Sequence, residues 1–341
     1  MADPPDRGPV TEPGGLGEPS ASEQAGARAA KNTLVRAGSE VIGKIATFAV
    51  FAALARSLGE SSVGVFVFAL AYLQIAMYLV LSGADPYMLR RVANDHSAAD
   101  RLFYNVFAVK LIVAGPVLAL ALGLLPLIAD GSTTRDTVLV LAPGVLIEQL
   151  GKTLHAMFDA HERGPLLGTS LVVQRVVTAV LAIAAMAAGY GVVTVAAIYS
   201  IGAVLGFVAG VVLLKRGIGI PRRTFEPRGW MTLVKGSMPF GLQDIFGVLL
   251  FRLDAVLLAV LASDAAVGRY GAAYRLLEST LFVSWALNGA FAAMYAYLGR
   301  DTDPTIGGVF QRSVKVALVV LTPAAIACVG LAEPIMRLAF G

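Results

Sequence analysis

The chain has 341 residues, 57% of them hydrophobic and only 15% charged, and its mean hydropathy is +0.74. A soluble domain carries about 25% charged residues, so this composition excludes one and specifies an all-α, polytopic helical membrane protein. The net charge of +4 does not argue for nucleic acid, because the basic residues stand between apolar segments, where they set topology. With one cysteine, Cys328, and histidines only at His96, His155 and His161, no intramolecular disulfide is possible and no metal cluster or cofactor is expected.

Residues 1–30 hold five of the sixteen prolines and five acidic residues without an apolar run, which predicts a disordered cytosolic tail and no cleavable signal peptide. Apolar windows of about 20 residues follow at 41–58, 63–81, 103–128, 137–157, 166–188, 193–214, 236–262, 270–298 and 309–331, predicting nine spans. Lys and Arg are distributed unevenly between the connections. One side collects Arg28, Lys31, Arg36, Arg90, Arg91, Arg101, Arg163, Lys215, Arg216, Arg222, Arg223, Arg228, Arg300 and Arg312; the other has Arg56, Arg135, Arg269 and Arg337. The asymmetry predicts a multi-pass protein of the cytoplasmic (inner) membrane with its N-terminus in the cytosol. The basic segment 215–230 then links an N-lobe at 31–214, with six spans, to a three-span partial C-lobe at 231–341.

The second lobe repeats the first. Residues 258–278 align with 54–74 at an offset of 204, placing Val267, Gly268 and Tyr270 over Val63, Gly64 and Phe66, and Pro323 and Gly330 follow Pro116 and Gly123 by 207. Duplicated halves meeting at a central site are a common plan of secondary transporters, since rocking one half against the other gives alternating access. On that plan the second half would run about 77 residues beyond Gly341, so the chain is expected to be a fragment or truncated product; a short form that assembles with a partner is the alternative.

Charge inside a span costs about 2.5–3.5 kcal/mol per residue at mid-helix, so such residues face a protein interior or a wet cavity. Span seven carries Asp244, Arg252 and Asp254. Arg252 and Asp254 stand about 200° apart on a regular helix and cannot both aim at one cavity. Arg252 is therefore expected on a central cavity and Asp254 on a neighbouring helix, the alternative being a purely structural interhelical pair. In span eight, Arg275 and Glu278 are spaced to neutralise each other. Span four has a polar stripe of Glu148, Lys152, His155 and Asp159, and Arg175 of span five lies at similar depth to Glu148; the group either relays ions or protons or ties helices together. Glu40 and Lys44 at i,i+4 of span one, and Lys110 and Lys315 in spans three and nine, read as snorkelling residues. No phosphate loop, metalloprotease motif or catalytic triad is present, so neither an enzyme nor an ATP-driven pump is expected.

The turn between spans one and two reads R-x-L-G-x-x-x-x-G (Arg56, Leu58, Gly59, Gly64). The second half has Pro239 early in span seven, Asp254, and V-G-x-Y-x-x-A-Y through Val267, Gly268, Tyr270, Ala273 and Tyr274. Over residues 32–341 these features resemble the polysaccharide biosynthesis, Wzx-like flippases of the multidrug/oligosaccharidyl-lipid/polysaccharide exporter superfamily. The resemblance implies a two-lobe MATE-like architecture, usually of twelve or more spans. It also implies flipping of a polyprenyl-diphosphate-linked oligosaccharide to the outer leaflet for cell-envelope synthesis. Arg252 and Arg275 are then the expected diphosphate ligands, with membrane lipid and a glycan polymerase or glycosyltransferases as partners. A multidrug/cation antiporter using Asp254 or Glu148, and a non-transporting membrane scaffold, are the alternatives.

Overall fold

The computed structural model describes residues 21–129, 131–274, 305–330 and 334, and every regular element among them is helical. In chain order these are α1 (Ala21–Tyr78), α2 (Ala84–Asn94), α3 (Ala98–Ile128), α4 (Ser132–Ala160), α5 (Gly164–Ala187), α6 (Val192–Gly217), a 3-10 turn at Pro227–Gly229, α7 (Trp230–Leu261), α8 with residues 264–274, and α9 (Thr305–Gly330). Helices α1, α3, α4, α5 and α6 are long and apolar enough to cross a bilayer. The 32 residues of α7 span about 48 Å at 1.5 Å per residue, so it too has the reach. Predicted span 309–331 coincides with α9, whereas most of span 270–298, including Arg275 and Glu278, lies outside the described residues.

Helix α1 contains two passes. Gly59 has φ 80° and ψ 171°, a conformation reached almost only by glycine, and the chain reverses there. Phe51 and Phe66, about 22 Å apart on a straight helix, bring their rings within 5.7 Å of each other. The helix starts at Ala21, inside the segment expected to be disordered. Its opening ASEQAGARAAK consists of strong helix formers apart from Ser22 and Gly26, and the prolines that suggested disorder all precede it.

Small residues let the other passes approach. Gly202, Gly206 and Gly210 form a stripe along α6; a Cβ on Gly202 would meet Thr178 Oγ1 at 1.8 Å, and one on Gly206 would meet Gln174 Cβ at 2.6 Å. Such stripes drive helix association in membranes, where van der Waals packing replaces the hydrophobic effect. Across it α6 packs on both α4 and α5, and α5 in turn packs on α1. The segments rich in Lys and Arg gather at one end of this bundle. Arg36 of α1 bridges Asp159 at the end of α4 at 2.8 Å, His96 stacks on His161, and Asp100 accepts the backbone N–H of Arg222 from the linker.

At the opposite end the two copies of the repeated turn meet face to face. A Cβ on Gly64 would lie 1.8 Å from the carbonyl oxygen of Asp264, and one on Gly268 would lie 2.0 Å from that of Glu60. Residues 60 and 264, like 64 and 268, are 204 positions apart, so each contact is the image of the other. Val67 and Gly271, separated by the same offset, touch each other, a Cβ on Gly271 meeting Val67 Cγ2 at 2.5 Å. That pair marks a local two-fold axis. An exposed ion pair, Arg269 to Glu60 at 2.7 Å, borders the seam.

The short helix α2 had no counterpart in the apolar windows. It buries Ala84, Met88 and Val92 at i, i+4 and i+8, and with them Asp85. Asp85 receives Lys110 of α3, whose side chain is 0% exposed. Lys110 does not snorkel. Thirteen residues into α3, it sits about 18 Å from the helix start, and its ammonium donates to Asp85 Oδ2 at 2.5 Å, Thr153 Oγ1 at 3.1 Å and the Gln149 carbonyl at 3.2 Å. The Thr153 hydroxyl completes the ring by donating to Asp85 Oδ1 at 2.8 Å. All three ammonium protons are matched, and α2, α3 and α4 are tied at one point. Lys110→Met should therefore destabilise the protein by about 3–5 kcal/mol by stranding a buried carboxylate, measured by denaturant unfolding in mixed micelles. Asp85→Leu with Lys110→Met should recover most of that loss, and strictly additive losses would contradict the pairing.

Candidate functional site

Between α1, α4 and α5 on one side and α7 on the other lies a cavity of about 550 Å³. Sequence phasing explains who reaches it. On α7 the residues Asp244, Val248, Phe251 and Arg252 fall on one arc of about 100°, and all four line the cavity, joined by Gln243 and Gly247. From α4 come Glu148, Gln149 and Lys152, one turn of the polar stripe; from α1 come Lys44, Gln74 and Tyr78; and α5 supplies Arg175. A smaller recess of about 130 Å³ shares Lys44, Gln74, Glu148, Arg175 and Arg252 with the main cavity and reaches Tyr199 of α6.

The charged groups are held in place by polar neighbours. Arg175 lies 3.8 Å from Glu148 and donates to Thr47 Oγ1 at 3.2 Å, while the Tyr199 hydroxyl donates to the other oxygen of Glu148. Arg252 Nε donates to Gln74 Oε1 at 2.8 Å, linking α7 to the second arm of α1. The Lys152 ammonium rests 4.0 Å above the centre of the Tyr78 ring, a cation–π contact that keeps it extended over an apolar surface. Among the described residues the cavity wall carries four cations (Lys44, Lys152, Arg175, Arg252) and two carboxylates (Glu148, Asp244). The surplus is positive.

Six of the charged residues singled out from sequence therefore converge here: Lys44, Glu148, Lys152, Arg175, Asp244 and Arg252. Lys44 had been read as snorkelling with Glu40; it turns into the cavity, and Glu40 does not line it. Asp254 also lies elsewhere. Its Oδ2 accepts the Tyr270 hydroxyl of α8 and its Oδ1 the backbone N–H of Ala255, so it fastens α7 to its neighbour beside a small crevice lined by Val67 and Gly271 of the two-fold seam. Arg275 and Glu278 lie outside the described residues. Sequence reasoning missed Gln74, Gln149, Gln243 and Tyr199, since uncharged polar residues inside a span cost too little to stand out.

Residues 29–292, well over half of the chain, match the model of the family described as polysaccharide biosynthesis protein. The chain belongs to that family. No curated protein sequence matches it, but solved structures share its fold. An inward-facing multidrug resistance MATE family transporter of the MOP superfamily superposes with a TM-score of 0.72 at 17% identity, over 90% of this chain and 75% of that one. The MATE multidrug transporter DinF-BH, solved as a complex with a ligand, gives 0.59 at 14% identity over 92% and 74%. A MATE transporter in complex with MaD3S gives 0.61 at 17% over 92% and 75%. This member of the polysaccharide biosynthesis family is thus a multi-pass helical membrane protein with the fold of the MATE transporters, and its cavity lies between α7 and the helices α1, α4 and α5.

The separate placements of Arg252 and Asp254 make a testable distinction. Asp254→Ala and Tyr270→Phe should each lower unfolding stability by about 1 kcal/mol, the size of one hydrogen bond. Because they remove the same contact, the double variant should lose far less than the sum. Independent losses in a double-mutant cycle would place the fastening of α7 elsewhere.

Proposed function

We propose that this protein flips a polyprenyl-diphosphate-linked oligosaccharide from the cytosolic to the outer leaflet of the cytoplasmic membrane by alternating access. The observation that carries the reading is the positive surplus of the cavity, four cations to two carboxylates among the described residues. A diphosphate needs several cationic donors to leave water, and arginine forks suit its oxygens best. Arg175 and Arg252 approach from opposite walls and are the proposed ligands, with Lys44 and Lys152 adding charge. Arg275, the other ligand expected from sequence, would add a third fork. Gln243 offers an amide donor and acceptor, and Gln74 an amide donor beside the oxygen that Arg252 holds, the pairing that sugar hydroxyls require. Family membership supports a glycan cargo.

Transport follows from where these groups stand. Arg175 belongs to the first repeated unit, residues 31–214, and Arg252 to the second, from 231 onward, so a cargo bound by both feels any relative rotation of the two. With the basic end of the bundle in the cytosol, the Gly64–Gly268 seam closes the outer side. Energy comes from an ion gradient or from consumption of the glycan outside, where a polymerase or glycosyltransferases would act.

A second reading rests on Glu148, an intramembrane carboxylate held by Tyr199 and Arg175, and on the fold shared with the multidrug transporter DinF-BH: a cation antiporter using Glu148 to carry the coupling ion. The two readings separate on mutation. Arg252→Ala should weaken the diphosphate interaction by about 1.5–3 kcal/mol, and cells relying on that variant should accumulate completed lipid-linked oligosaccharide, measured by mass spectrometry, and lose surface polymer. An unchanged glycan profile in Arg252→Ala, together with loss of cationic-drug efflux in Glu148→Gln, would decide for the antiporter.

A further inference from the structure

We propose that the basic end of the bundle holds a binding site for the headgroup of an anionic phospholipid, separate from the transport cavity and bridging the two repeated units. The site is a pocket of about 300 Å³ between α2, the start of α3, the 3-10 turn and the start of α7. Arg91 of α2 and Arg101 of α3 line it, with one carboxylate, Glu226. Tyr87 and Trp230 form its aromatic walls; both stand in the first turn of their helices, the position at which such rings anchor at a membrane–water interface.

The pocket is braced from behind. Asn105, 3% exposed, accepts the Trp230 indole N–H at 2.6 Å and the Glu226 backbone N–H at 3.0 Å, and donates to the Thr224 carbonyl at 2.8 Å. Linker and α7 are thereby fixed against α3 on one side of the pocket, while Arg91 and Arg101 are exposed. The Arg91 guanidinium lies over the Tyr87 ring at 5.5 Å, an arrangement that leaves its edge donors for an oxyanion.

Acyl chains have a place beside the headgroup. From the mouth of the pocket α7 carries Met231, Met238, Leu242, Phe246 and Leu250 at spacings of a single helix face, and all five are exposed, by 63%, 61%, 45%, 68% and 77%. Phe225 of the linker is exposed by 59%. A cationic pocket at an interface joined to an apolar stripe running into the membrane fits a lipid better than a free anion. Because Arg91 and Arg101 belong to the first unit and Trp230 opens the first helix of the second, an occupied pocket holds the hinge between them. Lipid composition would thereby set the ease of rocking.

The test uses the full chain in phosphatidylcholine nanodiscs titrated with phosphatidylglycerol, binding being read by native mass spectrometry. Each arginine near the surface contributes about 1 kcal/mol to anionic lipid binding, so Arg91→Gln and Arg101→Gln should each weaken binding about five-fold and the double variant about 30-fold. Arg269→Gln, at the opposite end, should leave it unchanged. A double variant that denatures is replaced by the two single variants, whose unfolding midpoints in phosphatidylcholine must match the parent. Phosphatidylglycerol binding that is indifferent to both substitutions would overturn the proposal. Saturation by inorganic phosphate at the same arginines, without lipid selectivity, would overturn it in favour of a free-anion site. The readout does not involve transport, so a failed flippase assignment leaves it standing and the converse also holds.

Discussion

An ion removed from water inside a bilayer must find compensation within the protein, and this requirement organises the bundle. Two different solutions occur side by side. Lys110 is enclosed completely and its three protons are matched by three acceptors, so that pair acts as a structural rivet with no path to a ligand. Beside it, Lys152 and Glu148 keep contact with an open cavity, where incomplete neutralisation is tolerated because water can reach them. Residue Gln149 belongs to both, offering its carbonyl to the rivet and lining the cavity. The rivet holds α4 at the depth where its polar stripe enters the cavity. Holding α4 in position thus falls to charges on α2 and α3, and lining the cavity to charges on α4 itself.

Helix α7 shows the same division along its length. Its first turn is bonded through Trp230 to Asn105 of α3, its middle presents Arg252 to Gln74 of α1, and further on Asp254 holds Tyr270 of α8. The helix is therefore stitched to α3 at its start and to α8 near its far end.

Much of this was legible in the sequence, and the remainder was hidden for identifiable reasons. Hydropathy located the passes, and Gly59 marked the reversal between the first two, since these depend only on local composition. Helical phase placed Arg252 and Asp254 on different faces and brought Arg175 to the depth of Glu148. Phase cannot say which neighbour occupies a face, and for that reason Lys44 and Lys110 were both assigned to the interface when one faces the cavity and the other is sealed. Asp85 was invisible because α2, with 11 residues, is too short for a membrane-length window. Its Ala84, Met88 and Val92 spacing was the available signal. The repeat at an offset of 204 was faint as letters, but its central glycines are the points where the two copies touch.

That glycine seam has a consequence for the cost of opening. Backbone meets backbone across it, with no side chain of either Gly64 or Gly268 intervening, and the bordering ion pair is already hydrated. Pulling the two turns apart separates Arg269 from Glu60, but both ions are exposed and exchange each other for water at little cost. The closure behaves like a dry clasp, tight because its parts fit and cheap to release because the ion pair that parts with it is already in water, and a bulkier residue at either position would hold it ajar.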